Sequence, residues 1–471
     1  MSSARFTPAV RLCLAAAVTV GVLTGIAPVS VRHAAAASSV TLSFYEYNIY
    51  QADPRTKAII TQYEQLHPGV TVKYAPFSTN VVTDLSSALQ GGTAADVIIP
   101  TVMQQVWNDV PKGYYTDLTS YLTKQPDPYA PGHQPVAFTI VPSALQQQRF
   151  FDGKFYCLSG ATVDSAFFYN KNIFNTLHLS LPQTWAQLMA MLPVIKRAGY
   201  IPFQYALGDS VYGDAPPGLF MALENMTMDR NIRAMDLNHD GIVDLRELTN
   251  GIRKGLYSAH NGDMQAALQL MKDLYPYMEP GAAGINFTQD QAAFARGRAA
   301  MNYTGIFYSV VLDNAKVSFQ YSYFPVPQVT SASTSYATPG TKGTGTLGPN
   351  GSIPYCIPTT TVQHGHAAQA VDFIQYLLDP HNIDVVDTAN TNLSAVKGGN
   401  NPARFNVFLD ASNHPARTFS AELTLPTSFE TGRAQIIQAY LTGQQSLNQA
   451  ADALQKLIVS AADEAARKYH L

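Results

Sequence analysis

Apolar and polar positions alternate with period two in VTLSFYEY, residues 40–47, a β-branched and aromatic run that predicts a strand. Asp53 and Pro54 then open a helix, a cap followed by proline in the first turn. Ile59, Ile60, Tyr63 and Leu66 fall on one side of it, and Pro68-Gly69 stops it. VTVKY, from Val70, alternates as a second strand, Val81 to Gln90 has helical spacing, and DVIIP, ending at Pro100, is a short apolar run suited to a fully buried strand. Strand and helix therefore take turns. That order predicts an α/β fold, a parallel sheet covered by helices, with any ligand near the C-terminal ends of the strands.

The pattern restarts at GKFYCLSGATVDSAFFYNK, from Gly153, where a second α/β portion begins. Thr184 to Ala198 reads as a helix opened by a Thr184/Gln187 capping box and closed by Lys196, Arg197 and Gly199, with a kink expected at Pro193. Gly208 to Tyr277 is mostly helical in pattern. Val329 to Gly351 is rich in Ser, Thr and Gly and reads as an exposed loop. In the tail, Leu447, Leu454, Leu457 and Ile458 form an apolar stripe of the kind that packs into a core. No internal repeat is visible.

A chain of 471 residues is too long for one ordinary core, so two domains are expected. The net charge of −3 gives no electrostatic case for nucleic acid. Charged residues are only 13% while aromatics reach 11%, a weakly charged, Tyr-rich composition that suits a neutral hydroxylated ligand and equally a secreted protein without one. The first forty residues carry Arg5 and Arg11, an apolar run from Leu12 to about Val31, and then HAAAASS, with a signal expected over 1–37. Basic, apolar and small residues in that order predict a secretory signal peptide, cut near Ala37, and hence a periplasmic or secreted protein. Cys13 stands at the start of the apolar run, not after it, and is not placed for lipid attachment. Cys157 and Cys356 remain; on their residues alone, a disulfide and two buried thiols are equally open.

One stretch names a chemistry. DLNHDGIVDLRE puts oxygen donors at the loop positions that a hard cation needs: Asp236, Asn238, Asp240, the carbonyl of Ile242, Asp244 and Glu247, with Gly241 at the sharp turn. This is an EF-hand-like pattern and predicts bound calcium. The loop occurs once, whereas sensor loops usually come in pairs, so a structural ion remote from the ligand cleft is expected. A metal-free Asx-rich turn explains the acids but not Glu247.

Two other classes compete with a binding protein. A secreted carbohydrate-active enzyme of the glycosidase kind would need two suitably spaced carboxylates, which sequence does not locate. Neither a Gly-x-Ser-x-Gly elbow nor a His-Glu-x-x-His helix occurs. A calcium-dependent adhesion or scaffold module would carry the loop twice in a short domain.

The order of motifs resembles the extracytoplasmic solute-binding proteins of ABC-type sugar importers, the maltose-binding-protein-like family 1. The likeness runs through YEQLHPGVTVKYAPFSTNVVTDLSSALQGGTAADVIIP, from Tyr63, and DGKFYCLSGATVDSAFFYNKNIFNTLHLSLPQTWAQL, from Asp152. It returns in FARGRAAMNYTGIF, from Phe294, and in AVDFIQYLLDP, from Ala370. Two positions depart from the family pattern: Leu158 stands where proline is frequent, and Phe307 where tryptophan is. The resemblance implies a two-lobed periplasmic-binding-protein fold with a sheet in each lobe and chain crossings near 157–163, 353–358 and 405–425. The lobes would be 38–157 with 356–415, and 158–355 with 416–471. It implies a carbohydrate ligand closed between hinged lobes, a membrane permease as partner, a monomer and no catalysis. It also implies that Cys157 and Cys356, both at crossings, pair.

A neutral sugar needs stacking aromatics and a few fixed polar groups. By position at strand ends, the implied ligand residues of the first lobe are Tyr45, Glu46, Asn48, Thr101 and Trp107, with Asp164 at the crossing. Gln204, Tyr205, Phe307, Tyr308, Asn350 and Phe429 come from the second. Phe307 holds the family's stacking position.

Overall fold

The computed structural model describes residues 39–45, 54–75, 81–100, 103–208, 216–341, 346–348, 354–390, 393–405 and 425–471. Residues 39–471 form one compact unit. In chain order its strands are β1 Val40–Tyr45, β2 Val70–Tyr74, β3 Val97–Ile98, β4 Cys157–Leu158, β5 Ala161–Asn170, β6 Ile201–Gln204, β7 Ala299–Gly305, β8 Tyr321–Phe324, β9 Thr346–Gly348, β10 Tyr355–Cys356 and β11 Leu393–Ser394. The helices that matter below are α1 Pro54–Leu66, α2 Val81–Gly91, α3 Met103–Asp109, α4 Trp185–Arg197, α5 Pro216–Thr227, α6 Asp229–Met235, α7 Leu245–Arg253, α8 Gly262–Leu274, α9 Ala367–Leu377, α10 Thr427–Leu441 and α11 Leu447–Tyr469.

The strands form two sheets, one per lobe. The first has order β2-β1-β3-β10-β4, the second β11-β5-β7-β6 with β8 and β9 also paired to β5. In the first, β1 runs parallel to β2 and β3, as the strand-helix alternation predicted, while β10 is antiparallel to both its neighbours. Leu42, Phe44, Val97 and Ile99 turn to one face, onto Ile59, Ile60 and Tyr63 of α1 and Phe373 and Ile374 of α9. Tyr45 and Ile98 turn to the other, onto Leu85 and Leu89 of α2 and Val106 and Trp107 of α3. This two-sided burial is why DVIIP is uniformly apolar.

The chain leaves the first sheet at Leu158 and enters the second at Ala161. Gly160 lies between them, where a Cβ would come within 2.6 Å of Leu378. Cys157 sits directly opposite Cys356 in the β4–β10 pair, and the two form a disulfide. The second sheet is built on long strands. Phe167, Phe203, Phe324 and Tyr303 cluster on one face of it, Phe167 and Phe324 stacked at 5.2 Å between centroids. The Thr184/Gln187 capping box opens α4, and the helix continues through Pro193. Ala403–Phe405 packs onto this lobe: Phe405 stacks on Tyr323 and Arg404 pairs with Asp313 at 2.8 Å.

Candidate functional site

The β6–β7 pair of the second lobe carries a buried polar group. Gln204, the last residue of β6, lies opposite Asn302 in the middle of β7, with Thr304 two residues further on, and all three are fully buried. Asn302 donates from Nδ2 to the Gln204 carbonyl at 3.1 Å and to Asp290 at 2.6 Å. Neither end of the Gln204 amide has a hydrogen-bond partner, nor does Asn302 Oδ1 or Thr304 Oγ1. A buried, unsatisfied polar group costs about 1–3 kcal/mol. A lobe built for stability alone would have apolar residues here.

The residues expected to hold ligand divide by environment. Tyr45 and Trp107 share the buried cluster over the Cys157–Cys356 pair. Tyr205, Tyr308 and Phe429 are core residues with no exposed surface. Tyr205 Oη accepts from the Leu219 amide, and Tyr308 donates to the Gln291 carbonyl. The guanidinium of Arg433 lies over the Phe429 ring at 5.2 Å. Phe307 is half-buried just before the helix at Tyr308, its ring over Gly305, where a Cβ would fall 2.2 Å from the ring edge. Asp164 lies on β5 beside a register shift against β9. Glu46, Asn48, Thr101 and Asn350 lie outside the described residues.

Between the lobes is a cavity of about 590 Å³, within the size range of small-ligand sites. The first lobe lines it with Trp107, Phe138, Ile140, Gln146, Arg149 and Phe151 among others, and α11 adds Tyr469. Of the described residues expected to touch ligand, Trp107 alone is in this wall. Phe150 meets the Trp107 ring edge-on at 6.2 Å, and Tyr469 Oη donates to the Trp107 carbonyl at 3.0 Å. Sequence reasoning passed over Phe138, Phe150 and Phe151 because their segment has no strand or helix period. The run QQQRFF, amides then paired aromatics, was the available signal.

The opposite wall is the acidic loop: Asn238, Asp240, Ile242, Val243, Asp244 and Leu245 all line the cavity. The loop thus forms one wall of the interlobe cavity, a place that its sequence did not assign to it. The stretch 236–247 joins α6 to α7, and α7 packs along α11, which ends at Tyr469 against the first lobe. Sequence periodicity places the loop within a lobe but not against the other one.

The loop is held by its own carboxylates. Asp236, only 2% exposed, accepts the amides of Asp240 and Gly241 at 3.1 Å each. Glu247 accepts those of Leu237 at 2.7 Å and Asn238 at 3.2 Å, and exchanges a capping box with Asp244 that opens α7. Burial pushes the Glu247 carboxyl up, against those amide bonds. Gly241, at φ 87°, occupies the left-handed turn that position six of such a loop requires. Among the described residues no group of three or more His, Cys, Asp or Glu side chains converges as a ready-made metal cage. The donor set is nonetheless all oxygen, the chemistry of a hard cation.

Two sheets in two lobes, with the chain crossing between them beside an interlobe cavity, define a class of binding protein. Residues 50–382 match the model of the bacterial extracellular solute-binding proteins, and the chain belongs to that family. Among solved structures it is similar to the apo form of RafE from Streptococcus pneumoniae, at 17% identity and a TM-score of 0.63, covering 90% of this chain and 99% of that one. A family 1 extracellular solute-binding protein from Bifidobacterium longum subsp. infantis gives 18% identity and a TM-score of 0.63, covering 90% of this chain and all of that one. A sugar transporter protein from Bacillus licheniformis, in complex with stachyose, gives 14% and 0.58, covering 90% and 100%. No curated protein matches the chain by sequence.

Proposed function

We propose that this protein captures a neutral carbohydrate between its lobes and delivers it to the membrane permease of an ABC transporter, without catalysing a reaction. The observation that carries the reading is the two-lobed fold of a member of a solute-binding family, with the buried Gln204 amide unpaired at the end of β6. The sugars in complexes of its structural neighbours, raffinose and stachyose, point the same way. The ligand would contact Glu46, Asn48, Thr101, Asp164, Phe307 and Asn350, with Tyr45, Trp107, Gln204, Tyr205, Tyr308 and Phe429 shaping the cleft behind them. In this reading the two lobes hinge at the crossings, and β11 and Ala403–Phe405 go with the second lobe although they fall within the 356–415 segment expected in the first. The protein acts as a monomer outside the cytoplasm after loss of a signal peptide over residues 1–37.

A thermal-shift screen of mono- and oligosaccharides tests this directly, since a ligand that binds only the folded state raises Tm by mass action. One sugar class should raise it and be recovered unchanged. Catalytic turnover of that sugar, or no response to any, would overturn the proposal.

The same reading gives the loop at 236–247 a calcium ion, with Asp236, Asn238, Asp240, Ile242, Asp244 and Glu247 as ligands. Its support is the complete oxygen pattern around Gly241. Extracellular sites of this kind bind with Kd on the order of 10⁻⁴ to 10⁻³ M. Calcium should therefore raise Tm in the millimolar range, and Asp240→Ala should abolish that rise. An identical Tm with calcium and with chelator would leave the loop a metal-free turn.

A further inference from the structure

We propose that His364 and His366 of the first lobe form a binding site for a divalent transition-metal ion that favours imidazole nitrogen, copper(II) before nickel(II) or zinc(II). The site is separate from the interlobe cavity and from the loop at 236–247, and it does not depend on the carbohydrate reading.

The run QHGHAA sets two imidazoles on either side of one glycine. The helix Thr359–Gln363 stops there: the Gly365 amide donates to the Val362 carbonyl at 3.1 Å and the His366 amide to the Thr361 carbonyl at 3.0 Å. Gly365 takes φ 80°, the left-handed turn that such a helix stop uses. His366 then caps α9. Both histidines are therefore held by helix ends, and their rings lie 6.2 Å apart between centroids.

One ring is already oriented for coordination. His366 Nδ1 lies 3.0 Å from Oδ1 of Asp96, a residue 6% exposed whose other oxygen accepts from the Ser43 amide at 2.8 Å and hydroxyl at 2.7 Å. A carboxylate oxygen accepts, so Nδ1 is the donor and Nε2 keeps its lone pair. A histidine held at its far nitrogen by a carboxylate is the arrangement that metal centres use, because the carboxylate fixes the ring and makes it a better ligand. Tying α9 to the sheet would account for His366 and Asp96, but not for a second imidazole beside them. The exposed His364 makes no side-chain hydrogen bond among the described residues and is free to turn. Metal–nitrogen bonds are about 2.0–2.1 Å, so an ion sits roughly 3 Å from each ring centre and can span rings about 6 Å apart. Two nitrogens, with water at the remaining positions, suit copper(II), nickel(II) and zinc(II) rather than the hard calcium or magnesium, and copper(II) should bind tightest.

The test is calorimetric titration of copper(II) and of zinc(II) into the protein without an affinity tag, with excess calcium present so that the loop at 236–247 does not compete, and electron paramagnetic resonance of the copper form. The wild type should bind copper(II) more tightly than zinc(II), with a spectrum coupled to two imidazole nitrogens. His364→Ala and His366→Ala should each weaken copper binding about tenfold or more and lose one coupled nitrogen. Asp96→Asn should weaken it about tenfold with both nitrogens still coupled, since Asp96 acts through His366. His364 is exposed, so His364→Ala should keep the wild-type Tm, and it carries the test even if His366→Ala or Asp96→Asn fails to fold. Wild-type copper affinity and an unchanged spectrum in His364→Ala would overturn the site, as would a wild type that binds no copper.

Discussion

The two lobes solve the same problem with different means. The first closes its sheet on strands of two residues, β3, β10 and β4, and ties the last pair with Cys157–Cys356. The second has a ten-residue β5 and a seven-residue β7, aromatic stacking on the sheet and no cysteine, and it buries charge instead. Arg433, fully buried on α10, pairs with Glu430 at 2.7 Å and Glu224 of α5 at 3.6 Å, and Tyr257 donates to Glu224 at 3.1 Å. Short ladders supply few hydrogen bonds, so a covalent tie has most to add there. Long ladders tolerate a costly charged cluster.

The largest expected effect breaks the first lobe's tie. The cysteines are 199 residues apart, and closing a loop of that length stabilises by about 5 kcal/mol in the chain-entropy model. Reduction, or Cys157→Ala with Cys356→Ala, should lower Tm sharply. A calorimetric scan with and without reductant checks it. An unchanged Tm would mean that the unfolded chain is already restricted.

In the second lobe, Arg433→Met should cost about 3–5 kcal/mol, because it strands two carboxylates without their cation. Denaturant unfolding at two pH values sharpens the point. The loss should be smaller at pH 5, where the stranded carboxyls can protonate.

The wild type should itself show a pH limb from this cluster. Burial pushes the Glu224 carboxyl up to about 7, against the lowering pull of Arg433, and Glu430 is raised by the same burial. A folded carboxyl with a raised pKa binds more protons than its unfolded form, so stability falls as pH rises from about 4.5 to about 7 and is level above that. Glu224→Gln should flatten the limb in a series of melts. The smallest effect belongs to local structure: Thr184→Ala removes the cap of α4 and should cost about 1 kcal/mol, measured by urea unfolding.

Much of this was legible along the chain. The alternation around Val40, the stop at Pro68-Gly69 and the Thr184/Gln187 box are short-range signals, and each reports its own neighbourhood. The residues of Cys157 and Cys356 left pairing open, because two tyrosine-cysteine pairs do not say whether their strands are neighbours. The position of Gln204 at a strand end followed from the YIPFQ run, while its unpaired amide appeared only once Asn302 and Asp290 were placed around it. Phe138, Phe150 and Phe151 were missed because an irregular segment shows no period, whatever it faces.

The acidic loop divides the two kinds of information most clearly. Its donors, its glycine and its helix-capping Glu247 are written within twelve residues, since a turn and a cap are satisfied by near neighbours. That this loop forms one wall of a cavity whose other wall is Phe138, Arg149 and Lys397 was decided by tertiary structure alone. The physical reason is that the α7–α11 packing carries the loop against the first lobe, and no local pattern encodes which surfaces two separately built lobes turn toward each other.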